Sequence, residues 1–78
     1  MTADVASVVL AAYRQVLGEQ VSAQDDFFEL GADSVQAIEA LSLIEVELGT
    51  EIPVALIFAY PTAAELAGEI AATAGQPS

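Results

Sequence analysis

The stretch FFELGADSVQA, residues 27–37, sets the hydroxyl of Ser34 directly behind Gly31, Ala32 and Asp33. A serine that acts as a nucleophile needs a base to take its proton. The chain contains no His, and its single basic residue is Arg14, so there is no Lys either. Only carboxylates could serve, and no G-x-S-x-G elbow surrounds Ser34 to expose it for attack. On residue type alone, Ser34 reads equally as an ordinary serine at the first position of a helix.

The neighbouring acids suggest a second chemistry, which the spacing rejects. Asp25, Asp26, Glu29 and Asp33 crowd one loop, but a calcium loop wants oxygen ligands at alternate positions, glycine sixth and glutamate twelfth. Counted from Asp25, the third position is Phe27, the sixth is Leu30 and the twelfth is Gln36. No metal site is expected. Paired carboxylates can do acid–base work, but twelve acids in 78 residues bring pairs together by chance. A domain this small also leaves little room for a substrate pocket. An intrinsic enzymatic activity is therefore not expected.

Composition narrows the partners. A net charge of −11 argues against nucleic acid and anionic lipid, both polyanions gripped by Lys and Arg. A protein partner with a basic surface is the complement, because opposite fields speed encounter and fix orientation. No apolar run reaches the roughly 18 residues of a membrane helix. The N-terminal MTADVASVV lacks the basic region of a secretory signal, so a cytoplasmic monomer is expected. The chain holds one domain, 1–78, with an ordered core over about 3–73 and a frayed tail, TAGQPS. Without Cys or His, neither a disulfide nor a metal can staple it, and aliphatic packing must carry the core.

Four elements would position Ser34. From Thr2 to Leu17, Val5, Val8, Val9, Ala12, Tyr13, Val16 and Leu17 recur at helical spacing, with Thr2 or Asp4 as cap and Gly18 as stop. Arg14 reads as a solvated residue on this helix. Residues 19–33 lack a period and form a long loop clamped by Phe27, Phe28 and Leu30. Asp33 and Gln36 make a capping-box pair for a second helix that runs to about Leu48 and stops at Gly49. Its core stripe is Ala37, Leu41, Ile44 and Leu48, while Val35 and Val46 lie within about 20° of each other on the far side. IPVALIFAYP is apolar and short; with no second strand-like run to pair with, it is a short helix. Thr62 and Glu65 form a T-x-x-E box for the last helix, which buries Leu66 and Ile70. The fold class is all-α, a four-helix bundle of three main helices and one short one.

Taken in order, DDFFELGADSVQAIEAL, the glycine-ended helix, IPV, IF and YPTAAELA resemble the phosphopantetheine-binding carrier proteins, the acyl and peptidyl carriers. The resemblance covers almost the whole chain from Val5 to Ala67. It implies that Ser34 receives 4′-phosphopantetheine from a separate transferase, which would explain a hydroxyl with no base of its own. The thiol of that arm would hold an aminoacyl, peptidyl or acyl group as a thioester in nonribosomal peptide or polyketide biosynthesis. It further implies as partners a phosphopantetheinyl transferase, an adenylation or acyltransferase loading enzyme, and downstream condensing or tailoring enzymes. Asp33 would sit where the transferase's metal is held. DDFFELG and YPT look like peptidyl and modular polyketide carriers, whereas GADS is closer to acyl carriers. Met1 and the short flanks fit a free-standing protein. Ala55, Leu56 and Ala59 stand where related sequences carry polar residues, and Leu43 and Val46 replace common charges. The expected partner interface is therefore Asp33, Val35, Ile38, Glu39, Leu43, Val46 and Leu56, greasier than usual. The other reading is an acidic helical adaptor that binds a basic protein and is never modified.

Overall fold

The computed structural model describes residues 4–74. Four helices follow one another: α1 (Val5–Leu17), α2 (Ser34–Leu48), α3 (Val54–Ala59) and α4 (Ala63–Ala74). Asp4 caps α1 by accepting from the Ala6 amide, and Gly18 ends it at a φ of 119°. Thr2, the other candidate cap, lies outside the described residues. Gly49 ends α2 in the left-handed region, at a φ of 69°, where a side chain would be strained. The last helix reaches Ala74 and so takes in the first residues of the segment expected to fray. The remainder of that tail lies outside the described residues.

α1 is the central support, packing on α2 and on α4, while α3 bridges α2 and α4. Its buried face is Val8, Val9, Ala12 and Tyr13, the i, i+1, i+4, i+5 pattern that a 3.6-residue period lines up on one side. From α2 come Ala37, Ala40, Leu41 and Ile44. Leu48, expected in that stripe, is half-buried at the helix end, and Ala40 takes the central place instead. Ile57, Leu66, Ala67 and Ile70 close the core from α3 and α4.

The loop from 19 to 33 is tied down more firmly than its composition suggests. Its amide at Phe27 donates to the Pro61 carbonyl at 3.1 Å, and the Ala64 amide donates back to Ala23 at 3.0 Å. The Tyr13 hydroxyl donates to the same Pro61 oxygen at 3.0 Å. One carbonyl thus joins α1, the loop and the start of α4. Arg14 is not a free solvated residue: its Nε donates to the Val21 carbonyl at 2.8 Å, with Val21 itself fully buried. Phe27 is fully buried and Phe28 half-buried, but Leu30 is 41% exposed and clamps nothing. The reason is geometric. The turn closed by Leu30 and Gly31 amides on the Asp26 and Phe28 carbonyls carries Leu30 outward.

Candidate functional site

Two local devices build the site around Ser34. In the first, Asp26 Oδ1 accepts from the amides of Phe28 (2.9 Å) and Glu29 (3.1 Å), folding FFELG into a tight turn. Gly31 leaves that turn at a φ of 99°, a conformation only glycine enters at low cost. In the second, the Gln36 amide donates to Asp33 Oδ1 at 2.9 Å and the Asp33 amide donates to Gln36 Oε1 at 3.2 Å. This reciprocal capping box sets the direction in which α2 departs.

Ser34 is the first residue of α2 and is exposed. Because Asp33 and Gln36 satisfy the helix start between them, the cap does not use the Ser34 hydroxyl. Other hydroxyls are in structural service: Ser7 donates to Asp4 Oδ2, and Thr62 Oγ1 caps α4 by accepting from the Glu65 amide. Thr62 also donates to the Glu65 carboxylate at 3.0 Å, so the second half of that expected box runs through the hydroxyl rather than the backbone.

An aromatic relay leads from the core to this end of the molecule. Tyr13 and Phe27 lie 4.5 Å apart, Phe27 meets Phe28 edge-on at 5.5 Å, and Phe28 stacks on Phe58 at 4.9 Å. Phe58, half exposed on α3, therefore helps fix the loop that presents Ser34. Sequence reasoning gave Phe58 no part in this; only its aromatic type within an otherwise aliphatic helix marks it. Buried against Asp26 and Glu65, the Tyr13 phenol is pushed well above its usual pKa, first by desolvation and then by those two charges.

The expected interface residues divide. Val35 (64% exposed), Ile38 (55%) and Val46 (81%) stand in solvent on α2, with Asp33 and Glu39 also exposed. Leu43 and Leu56 are half-buried and pack against the core, so much of each side chain is already spent on the fold. No group of three or more acids, His or Cys placed to hold a metal occurs among the described residues.

A phosphodiester fits this serine. The hydroxyl faces solvent, the cap does not depend on it, and the free amides of a first helical turn favour an adjacent anion. Ser34 would hold the group, and the Asp26 turn and the Asp33–Gln36 box would hold Ser34.

Comparison with known proteins meets that geometry. The profile of the family described as PP-binding, phosphopantetheine attachment site, matches residues 7–70. The isonitrile lipopeptide synthase of Streptomyces coeruleorubidus is 47% identical over 60 residues, 76% of this chain. Surfactin synthase subunit 3 of Bacillus subtilis is 47% identical over 53 residues, 67% of the chain. The chain spans about 4% of the length of each of these synthases. Among solved structures, a nonribosomal PCP domain superposes with a TM-score of 0.74 at 33% identity, over 87% of this chain and 88% of that one. BlmI, a type-II acyl-carrier-protein from Streptomyces verticillus involved in bleomycin biosynthesis, shares the fold with a TM-score of 0.84, at 24% identity over 90% of this chain and 86% of its own. Four helices in this order, a serine presented at the head of the second, and a family match over most of the length lead to one conclusion: the chain belongs to the phosphopantetheine-binding carrier proteins, which bear 4′-phosphopantetheine covalently.

Proposed function

We propose that Ser34 bears the 4′-phosphopantetheine of this carrier and that the carrier serves nonribosomal peptide assembly. The observation that carries the assignment is the exposed Ser34 hydroxyl at the head of α2, inside the family match and outside the capping box. When bound, the arm supplies a terminal thiol able to hold an aminoacyl, peptidyl or acyl group as a thioester. Two relatives at 47% identity are by name a lipopeptide synthase and a surfactin synthase subunit, which favours aminoacyl or peptidyl cargo over polyketide acyl cargo.

The chain's own residues present and orient; they do not activate. Ser34 has no imidazole, thiol or amine side chain in the chain to take its proton, so a phosphopantetheinyl transferase must bring the base. Asp33, fixed by its bond to the Gln36 amide, stands exposed beside Ser34, where the resemblance puts the transferase's metal. An adenylation or acyltransferase loading enzyme and condensing or tailoring enzymes would then visit the exposed face of Val35, Ile38, Glu39 and Val46, in the cytoplasm. The carrier itself is no enzyme in this reading.

Intact-mass analysis after incubation with coenzyme A, Mg²⁺ and a broad-specificity transferase tests the assignment. The wild-type chain should gain one phosphopantetheine. Ser34→Ala should keep the helical fold, because alanine is a strong helix former, and gain nothing. A modified Ser34→Ala chain would move the site elsewhere, and an unmodified wild-type chain would leave the acidic adaptor standing.

A further inference from the structure

Glu45 occupies a position that its own helix disfavours. It lies in the last turn of α2, which holds no basic residue and carries a second acid, Glu47. The carbonyl end of a helix opposes negative charge, and a residue that breaks a local rule usually has a duty elsewhere. Here the duty is visible. Glu45, half-buried, accepts from the Ile52 amide at 2.7 Å, seven residues on. Among the described residues, no other amide of residues 50–53 makes a hydrogen bond.

The entry to α3 depends on that bond. α3 is six residues long, its start at Pro53 has no side-chain cap, and Ile57 is the one residue it buries. Its far end is held separately: the Tyr60 amide donates to the Leu56 carbonyl, and the Pro61 carbonyl accepts from Phe27 and Tyr13. Between these two anchors stands Phe58, whose ring lies on Phe28 at 4.9 Å and within 8° of parallel. Stacking of this kind depends on the relative angle of the two rings. Freed from Glu45, α3 can pivot about Pro61 and draw Phe58 off Phe28. Phe28 in turn holds the loop before Ser34: its amide donates to Asp26 Oδ1, and its carbonyl accepts from Gly31.

We propose that Glu45 is a positioning residue for Ser34, acting through α3 and the Phe58–Phe28 stack. Glu45 stands eleven residues along α2 from Ser34, roughly 16 Å at 1.5 Å per residue. It cannot touch the hydroxyl, and only a chain of packed contacts joins the two. The coupling does not depend on what Ser34 carries; its consequence for modification rests on Ser34 being the attachment site.

Two substitutions separate reach from charge. Glu45→Gln keeps an oxygen that can accept from Ile52 but loses the charge, whereas Glu45→Asp keeps the charge and is one methylene shorter. Amide hydrogen exchange on the full chain, with no transferase present, reads the loop. Glu45→Asp should speed exchange of the Leu30 and Gly31 amides, which close the turn, by about fivefold. Glu45→Gln should stay within about twofold of the wild type. With coenzyme A, Mg²⁺ and a broad-specificity transferase, Glu45→Asp should raise the KM for the carrier about threefold at unchanged kcat. The competent loop is then populated for less of the time. Phe58→Leu should raise KM likewise, and adding Glu45→Asp to it should change nothing further, the mark of one shared path.

A KM raised as much by Glu45→Gln as by Glu45→Asp would make the charge a direct contact with the transferase and overturn the proposal. So would exchange that rises around Ile52 and leaves Leu30 and Gly31 as they were, or effects of Glu45→Asp and Phe58→Leu that simply add. A wild-type chain that takes no arm would strike the reading of Ser34 alone, and the exchange rates would still decide the role of Glu45.

Discussion

Tyr13 shows how one residue can be both core and fastener. Its ring is fully buried, and its hydroxyl reaches a carbonyl 48 positions away, at Pro61. A buried hydroxyl left unpaired would be costly, so the bond removes a penalty more than it adds a gain. Tyr13→Phe should cost about 1 kcal/mol, because Pro61 keeps its bond from the Phe27 amide. In a domain of this size that lowers the melting temperature by about 4–8 °C. Titration adds a second signature. The folded phenol is raised well above the ordinary 10.0 by burial and by Asp26 and Glu65, so the folded state keeps a proton that the unfolded state releases. The stabilisation is complete below pH 10 and is lost as pH rises toward the folded value, with a slope of up to about 1.4 kcal/mol per unit. Urea unfolding across that range should show the fall in the wild type and a shallower one in Tyr13→Phe. Equal slopes would detach the effect from Tyr13.

At the scale of the element, α2 has two faces with different duties. Ile44 is fully buried against α1, whereas Val46, two residues on, is 81% exposed. Ile44→Asp removes packing worth about 2–5 kcal/mol and puts a carboxylate in the core, so helical circular dichroism should collapse. Val46→Asp should leave the spectrum and the modification of Ser34 intact while weakening at least one partner by about tenfold, the order expected for a valine buried at an interface. Equal melting of the two variants would return Val46 to the core. The end of α2 has its own fastener: Glu45 accepts from the Ile52 amide at 2.7 Å. That bond anchors the turn into α3, the helix whose Phe58 stacks on the Ser34 loop.

Across the whole molecule, twelve acids face one base. Self-repulsion of that size works against the compact state, and salt relieves it by shrinking the Debye length from about 30 Å at 0.01 M to about 8 Å at 0.15 M. The melting temperature should therefore rise across that range when followed by circular dichroism. A flat or falling curve would mean that the acids are already compensated in the fold, as Asp26, Asp33 and Glu45 are by backbone amides. The same charge that strains the fold opposes its approach to other acidic surfaces.

What the sequence determined by itself lies within a few residues of each signal. Asp4, Asp33 and Thr62 start their helices, Gly18 and Gly49 stop theirs, and the 3.6-residue period names the buried faces of α1 and α2. These are local effects, made by groups within a turn of each other. The part played by Ser34 was legible only through the resemblance of the motifs around it to a known family. On residue type alone it reads as an ordinary helix-start serine. Tertiary structure alone decided which loop residues clamp and which do not, because the partners come from distant segments. Val21 and Phe27 are buried while Leu30 faces outward, and Arg14 holds a loop seven residues on. Pro61 gathers bonds from Tyr13 and Phe27, and Phe58 covers Phe28. The packing of α1 on α2 belongs to this second kind, since no periodicity in either helix encodes how two helices cross.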